Sequence, residues 1–174
     1  SRWYPGAGIY RHVWLVKTGQ VHVSHWGTKM EATNLTEKTA DLHFSITVEN
    51  HLDEETSAVV KTSVYELDSL DCLGKRVLSF SDQTLKLAPQ GSGKIDLQET
   101  LTDCKRWDIE SPNRYMACVT IQVDGQETDR YFTPFGVRDI RVSREGFFLN
   151  GRRVAIKGVC NHHDLGALGA AFNL

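Results

Sequence analysis

Few residues of this 174-residue chain stand at spacings that chemistry would use. Cys72, Cys104, Cys118 and Cys160 are 32, 14 and 42 residues apart, so no C-x-x-C pair is present to hold zinc or exchange disulfides. They read as buried free thiols, with a single Cys72–Cys104 disulfide as the alternative. Asp and Glu are scattered among apolar positions without a pair that spacing forces together, so paired-carboxylate chemistry is not expected in the middle of the chain. One polar concentration does follow an apolar run. Val154 to Val159 leads into Cys160-Asn161-His162-His163-Asp164. A neutral imidazole at the end of a strand both donates and accepts a hydrogen bond, which suits a ligand hydroxyl; a histidine pair there is also common as surface.

The elements that would position these residues are strands. From Asp41 to Glu49, Leu42, Phe44, Ile46 and Val48 alternate with polar residues, giving one oily and one wet face. Val59 to Leu67 carries apolar residues on both faces, as a central strand does. Ile95, Leu97 and Leu101 mark another strand. Tyr115, Ala117, Val119, Ile121 and Val123 form the cleanest alternation, closed by the Asp124-Gly125 turn, with Asp129 to Pro134 as its hairpin partner. No window shows a helical stripe. Six to eight short strands with turns between them predict an all-β fold, an immunoglobulin-like antiparallel β-sandwich with extra flanking strands.

The ends differ from the middle. Residues 1 to 26 hold Trp3, Tyr4, Tyr10, Trp14 and Trp26, with strands expected at Ile9 to Val16 and Val21 to His25 but no partners evident for them. The tail reads as Val137 to Val142, Phe147-Phe148-Leu149, an Asn150-Gly151 turn, and Val154 to Val159. Both ends are expected to have been cut from something larger. The net charge of -2, from 20 basic and 22 acidic residues with no clustering of sign, argues against a nucleic-acid partner. No apolar run approaches the roughly 20 residues that span a bilayer, so no membrane partner is expected.

Four motifs carry a resemblance. Ser1-Arg2-Trp3-Tyr4-Pro5-Gly6-Ala7-Gly8-Ile9-Tyr10-Arg11 with Val13-Trp14-Leu15 resembles the end of the sugar-binding jelly-roll in family 2 glycoside hydrolases. Val21 to Thr28 is similar to the passage from that domain into a sandwich. Trp107 with Ser111-Pro112-Asn113-Arg114-Tyr115 resembles the family's signature before a late sandwich strand. Phe135-Gly136-Val137-Arg138, Phe148-Leu149-Asn150-Gly151 and Lys157-Gly158-Val159-Cys160-Asn161-His162 resemble the start of its catalytic barrel. The order is the family's order, and a β-galactosidase is the member favoured.

The resemblance implies three parts: the end of the jelly-roll at 1–27, the sandwich at 28–134 and the start of a (β/α)₈ barrel at 135–174. Its partners would be the flanking jelly-roll and barrel, with a β-glycoside bound only in the intact enzyme. It also implies retaining hydrolysis by two glutamates deep in the barrel, the acid/base directly after an asparagine. No Asn-Glu pair occurs in this chain, so no catalytic residue, cofactor or metal is expected here. His162 matches the histidine that hydrogen-bonds the sugar, and its neighbour Asn161 stands where arginine is usual, leaving the usual charge role there in doubt. No role carries over to His163 or Asp164. Trp3, Tyr4 and Trp14 read as jelly-roll core rather than a sugar-stacking platform, and Trp107 as packing. The rival readings are a stand-alone carbohydrate-binding module, which affinity of the isolated chain for galactosides would favour, and a cell-surface adhesion sandwich.

Overall fold

Leu42, Phe44, Ile46 and Val48 are all buried on one side of a single strand, as their alternation requires. A computed structural model describes residue 9 and residues 12–159 of the chain. The chain divides into two units, residues 18–154 and the two ends, 1–17 with 155–174. In the ends the described residues carry no strand. The strand expected over Val154 to Val159 therefore stops at Val154, and 12–16 form none either. Isolated extended segments have no ladder of hydrogen bonds to hold them.

Residues 18–154 hold eleven strands: β1 (Val21–Thr33), β2 (Thr39–Asn50), β3 (Thr56–Leu67), β4 (Leu73–Ser79), β5 (Gln83–Leu87), β6 (Ser92–Thr102), β7 (Arg114–Val123), β8 (Gln126–Phe135), β9 (Ile140–Ser143), β10 (Gly146–Leu149) and β11 (Arg152–Val154). No helix is present among the described residues. One sheet runs β1-β2-β6 and a second β4-β3-β7-β8, with β5 sharing the β4 edge of β3; all pairings are antiparallel. Their inner faces meet in one core. Val21, Val23, Phe44, Ile46, Leu97 and Leu101 come from the first sheet, and Val60, Val64, Tyr115, Ala117, Val119 and Ile121 from the second. This is the expected immunoglobulin-like sandwich.

Val21 to Val23, for which the sequence suggested no partner, pair with Val48 to Asn50 of β2. The pairing then breaks: the four residues Ser24 to Gly27 stand opposite the single residue Thr47 before the register resumes at Thr28↔Ile46. Such a bulge bends the strand. Trp26 takes a φ of 56° there, and a Cβ on Gly27 would lie 2.7 Å from the Ser24 carbonyl oxygen and 2.9 Å from that of Thr47. The first part of β1 is also tied to the other sheet. Thr128 Oγ1 donates to the Val21 carbonyl at 2.7 Å, and the Val23 N–H donates to Asp129 Oδ2 at 2.8 Å.

Tyr115 locks the corner before β7. It is 1% exposed, stacks on Phe135 at 5.6 Å, and its hydroxyl accepts the Lys105 N–H at 2.8 Å, ten residues upstream. The contact is similar in kind to the tyrosine corner of immunoglobulin-like domains, with a longer reach back along the chain. Burial pushes the phenol up to about 12. The β7–β8 hairpin turns at Asp124-Gly125, both with positive φ (52° and 77°), the primed geometry that two-residue hairpins prefer. Among the described cysteines, Cys72 is exposed, Cys104 buried and Cys118 half-buried, all as free thiols.

Candidate functional site

Between β6 and β7 the chain folds a small loop on Trp107. Trp107 and Pro112 form an isolated antiparallel bridge, and the Asp108 N–H donates to the Ser111 carbonyl at 2.9 Å. Proline suits such a turn because its φ is already fixed. Asn113 braces the loop from inside, its Nδ2 donating to the Arg106 carbonyl at 2.9 Å. The Trp107 N–H then donates to the Val137 carbonyl at 2.9 Å, just past the end of β8. Gly136 is needed beside it, since a Cβ there would stand 2.9 Å from Trp107 Cβ and 3.0 Å from Cγ. Arg138 lays its guanidinium over the Trp107 ring, 4.7 Å from the centroid, a cation–π contact.

The three-stranded sheet β11-β10-β9 follows from that point. Its second hairpin turns at Asn150-Gly151, with φ of 50° and 77°, where Asn and Gly tolerate the left-handed backbone. Asn150 does more than turn. Its Nδ2 donates to the Trp107 carbonyl at 2.9 Å and to Asp108 Oδ2 at 3.2 Å, while its Oδ1 accepts the Asp139 N–H at 3.1 Å. Arg152 adds an ion pair to Asp108 Oδ1 at 2.8 Å. The Asn150 bond, then the Ile109 N–H and the Arg152 charge, hold the Asp108 carboxyl below the usual aspartate range. Leu149 and Val137 are buried beneath. A polar depression of about 500 Å³ opens alongside, lined by Asn34, Arg106, Asp139 and Asn150 among others.

This arrangement binds one piece of chain to another; it offers no nucleophile with a base. Every described carboxylate with a shifted pKa, Glu31, Asp41, Glu49, Asp96 and Asp108, is shifted down. The principal cause in each is a hydrogen bond from a neighbouring side chain, such as Thr100 to Asp41 or Ser45 to Asp96. A glycosidase acid requires the opposite, a carboxyl raised toward neutrality. One other group, His22, Glu49 and His51, brings side chains to metal-ligand spacing on the outer face of the β1-β2-β6 sheet.

Trp107, expected as a packing residue, is half-buried at the centre of the loop. Trp14 is 80% exposed. Asn161 and His162, the expected sugar-contact residues, lie outside the described residues, as do His163, Asp164, Trp3 and Tyr4. Asp108, Asn150 and Arg152 were not singled out from sequence for this contact. The Asn-Gly turn signal located Asn150, but nothing local pairs it with a residue 42 positions away.

Residues 21–138, the whole sandwich through the arginine that covers Trp107, match the family model "Glycosyl hydrolases family 2". The chain belongs to this family. A β-galactosidase of Bacteroides ovatus is 39% identical over 99% of the chain, which covers 20% of that protein. A putative β-glucuronidase of Formosa agariphila is 33% identical over 99% of the chain and 15% of its own length. The crystal structure of a family 2 member from Bacteroides cellulosilyticus superposes with a TM-score of 0.84 at 29% identity, over 98% of this chain and 21% of that one. The family 2 chain thus spans about a fifth of the length of these relatives. It forms the β-sandwich domain of a larger multidomain family 2 protein.

Proposed function

We propose that this sandwich is a non-catalytic spacer that sets the direction in which the chain enters the catalytic barrel of a β-galactosidase. The observation that carries the proposal is the clamp of Asn150 and Arg152 on the Trp107 loop, which fixes the β9–β11 hairpin to the sandwich by side chains from both. Support for the division 1–27, 28–134 and 135–174 is the order of the four sequence motifs. The flanking partners are the jelly-roll and the barrel, and the two catalytic glutamates belong to the barrel. His162 would hydrogen-bond the sugar, with Asn161 beside it. Galactosides are preferred to glucuronides because the 39% identity is to a β-galactosidase, against 33% to a putative β-glucuronidase. Kinetics of the protein translated from the whole reading frame on nitrophenyl β-galactoside and nitrophenyl β-glucuronide test this. A higher kcat/KM on the galactoside is expected, and a preference for the glucuronide overturns the substrate assignment.

A further inference from the structure

The outer face of the β1-β2-β6 sheet carries a side-chain group that the core does not require. Antiparallel register sets His22 of β1 opposite Glu49 of β2. Residues two apart share a face, so His51, just past the end of β2, stands beside Glu49. The His51 N–H donates to the Gln20 carbonyl at 2.9 Å, which holds the chain there. Glu49 Oε2 consequently lies 3.7 Å from His22 Nε2 and 3.1 Å from His51 Nε2. The two rings stack at 5.1 Å with planes 7° apart, and the three ligand atoms all lie within 4.8 Å of one another.

We propose that His22, Glu49 and His51 form a binding site for a borderline divalent transition-metal ion, of which Zn²⁺ is the representative. Tetrahedral ligands at about 2.0–2.2 Å from zinc stand roughly 3.3–3.6 Å from one another. The two N···O separations bracket that spacing. Two of the three ligands are already oriented. His22 Nδ1 lies 3.1 Å from the Gly19 carbonyl, which can only accept, so Nδ1 holds the proton and Nε2 turns its lone pair toward Glu49. Ser24 Oγ donates to Glu49 Oε1 at 2.7 Å, leaving Oε2 to coordinate. Contacts of this kind, a carbonyl behind the histidine and a hydroxyl behind the carboxylate, orient ligands in metal sites.

Parallel rings aim their lone pairs side by side, so the ion requires one ring to turn. His51 is free to do so, with its side chain 54% exposed against 19% for His22. A shallow depression of about 290 Å³ beside Glu49 and His51, lined also by Gln90 and Ser92, leaves room for water as a fourth ligand. Two imidazoles disfavour Mg²⁺ and Ca²⁺, which take oxygen ligands. A bound ion would join β1 to β2 ahead of the Ser24–Gly27 bulge, where the chain enters the sandwich.

Titration calorimetry of the whole chain with zinc chloride tests the proposal, with magnesium chloride as the control. One zinc per chain is expected at this site. His51→Ala and Glu49→Gln should weaken it by about 100-fold, and Ser24→Ala by about tenfold, the loss typical of an orienting contact. His51 is exposed and Glu49→Gln is isosteric, so both variants keep the fold, which circular dichroism checks. Saturating zinc should raise the wild-type melting temperature by about 3 °C or more and leave that of Glu49→Gln unmoved. Absence of zinc binding, or binding unchanged in both His51→Ala and Glu49→Gln, overturns the proposal.

Discussion

Replacing Asn150 by alanine should release the β9–β11 hairpin from the sandwich while leaving the sandwich folded. The side chain donates to the Trp107 carbonyl and Asp108 and accepts from the Asp139 N–H. A neutral hydrogen bond contributes about 0.5–1.5 kcal/mol net, and more when the partner is charged. The contacts are only partly buried, which argues for the low end of that range. Alanine at a φ of 50° adds roughly 1 kcal/mol of backbone strain that asparagine largely escapes. The local loss is about 2–3 kcal/mol, or a roughly 30- to 150-fold rise in hairpin opening. Hydrogen exchange followed by mass spectrometry should show amides of β9 and β10 exchanging faster by about that factor, with β7 unchanged. Asn150→Gly keeps the turn and removes only the side-chain bonds, so it should fall between. Unchanged exchange of β9 and β10 in Asn150→Ala would refute the clamp. Acid should loosen the same contact: the Asp108 pKa is depressed, so its contribution is present above the usual aspartate pKa and lost as pH falls through the lower folded value.

Tyr115→Phe leaves the Lys105 N–H without its 2.8 Å partner and should cost about 1–3 kcal/mol, read as a lower urea midpoint with the slope unchanged. The raised phenol gives wild type a stability contribution that is present below about pH 10 and lost as pH rises towards about 12, which the phenylalanine variant should lack. Gly136→Ala should cost about 1–3 kcal/mol by pressing a methyl against Trp107, seen as a lower melting temperature. In the whole enzyme, His162→Ala should lower kcat/KM by about 10²-fold, on the order of 3 kcal/mol, with an unchanged melting temperature; normal kinetics in a well-folded variant would end the sugar-contact assignment.

Strands with one oily face were readable from sequence because burial imposes a period of two. Leu42 to Val48 and Tyr115 to Ile121 are buried at every second residue as their alternation predicts. β4 and β5 were not, because both lie on the outer edge of β3, and β4 exposes most of both faces, so no apolar period is needed. β1 was divided by its bulge: Trp26 and Gly27 break the alternation, and only tertiary pairing shows that Val21 and Thr28 belong to one strand. The Trp107 loop was legible as a motif, and its purpose was not, since Asn150 reaches it only once the hairpin has folded back. The His22–Glu49 register is hidden for a similar reason, because the bulge offsets any count made from the β1–β2 turn.

The central claim is that this chain supplies architecture and that the chemistry lies in the rest of the family 2 protein. Incubating the purified chain with nitrophenyl β-galactoside tests that most directly, since retaining hydrolysis needs two carboxyl groups about 5 Å apart. Release of nitrophenol at the buffer rate is the predicted result. Turnover that co-purifies with the chain through stringent chromatography would contradict the claim.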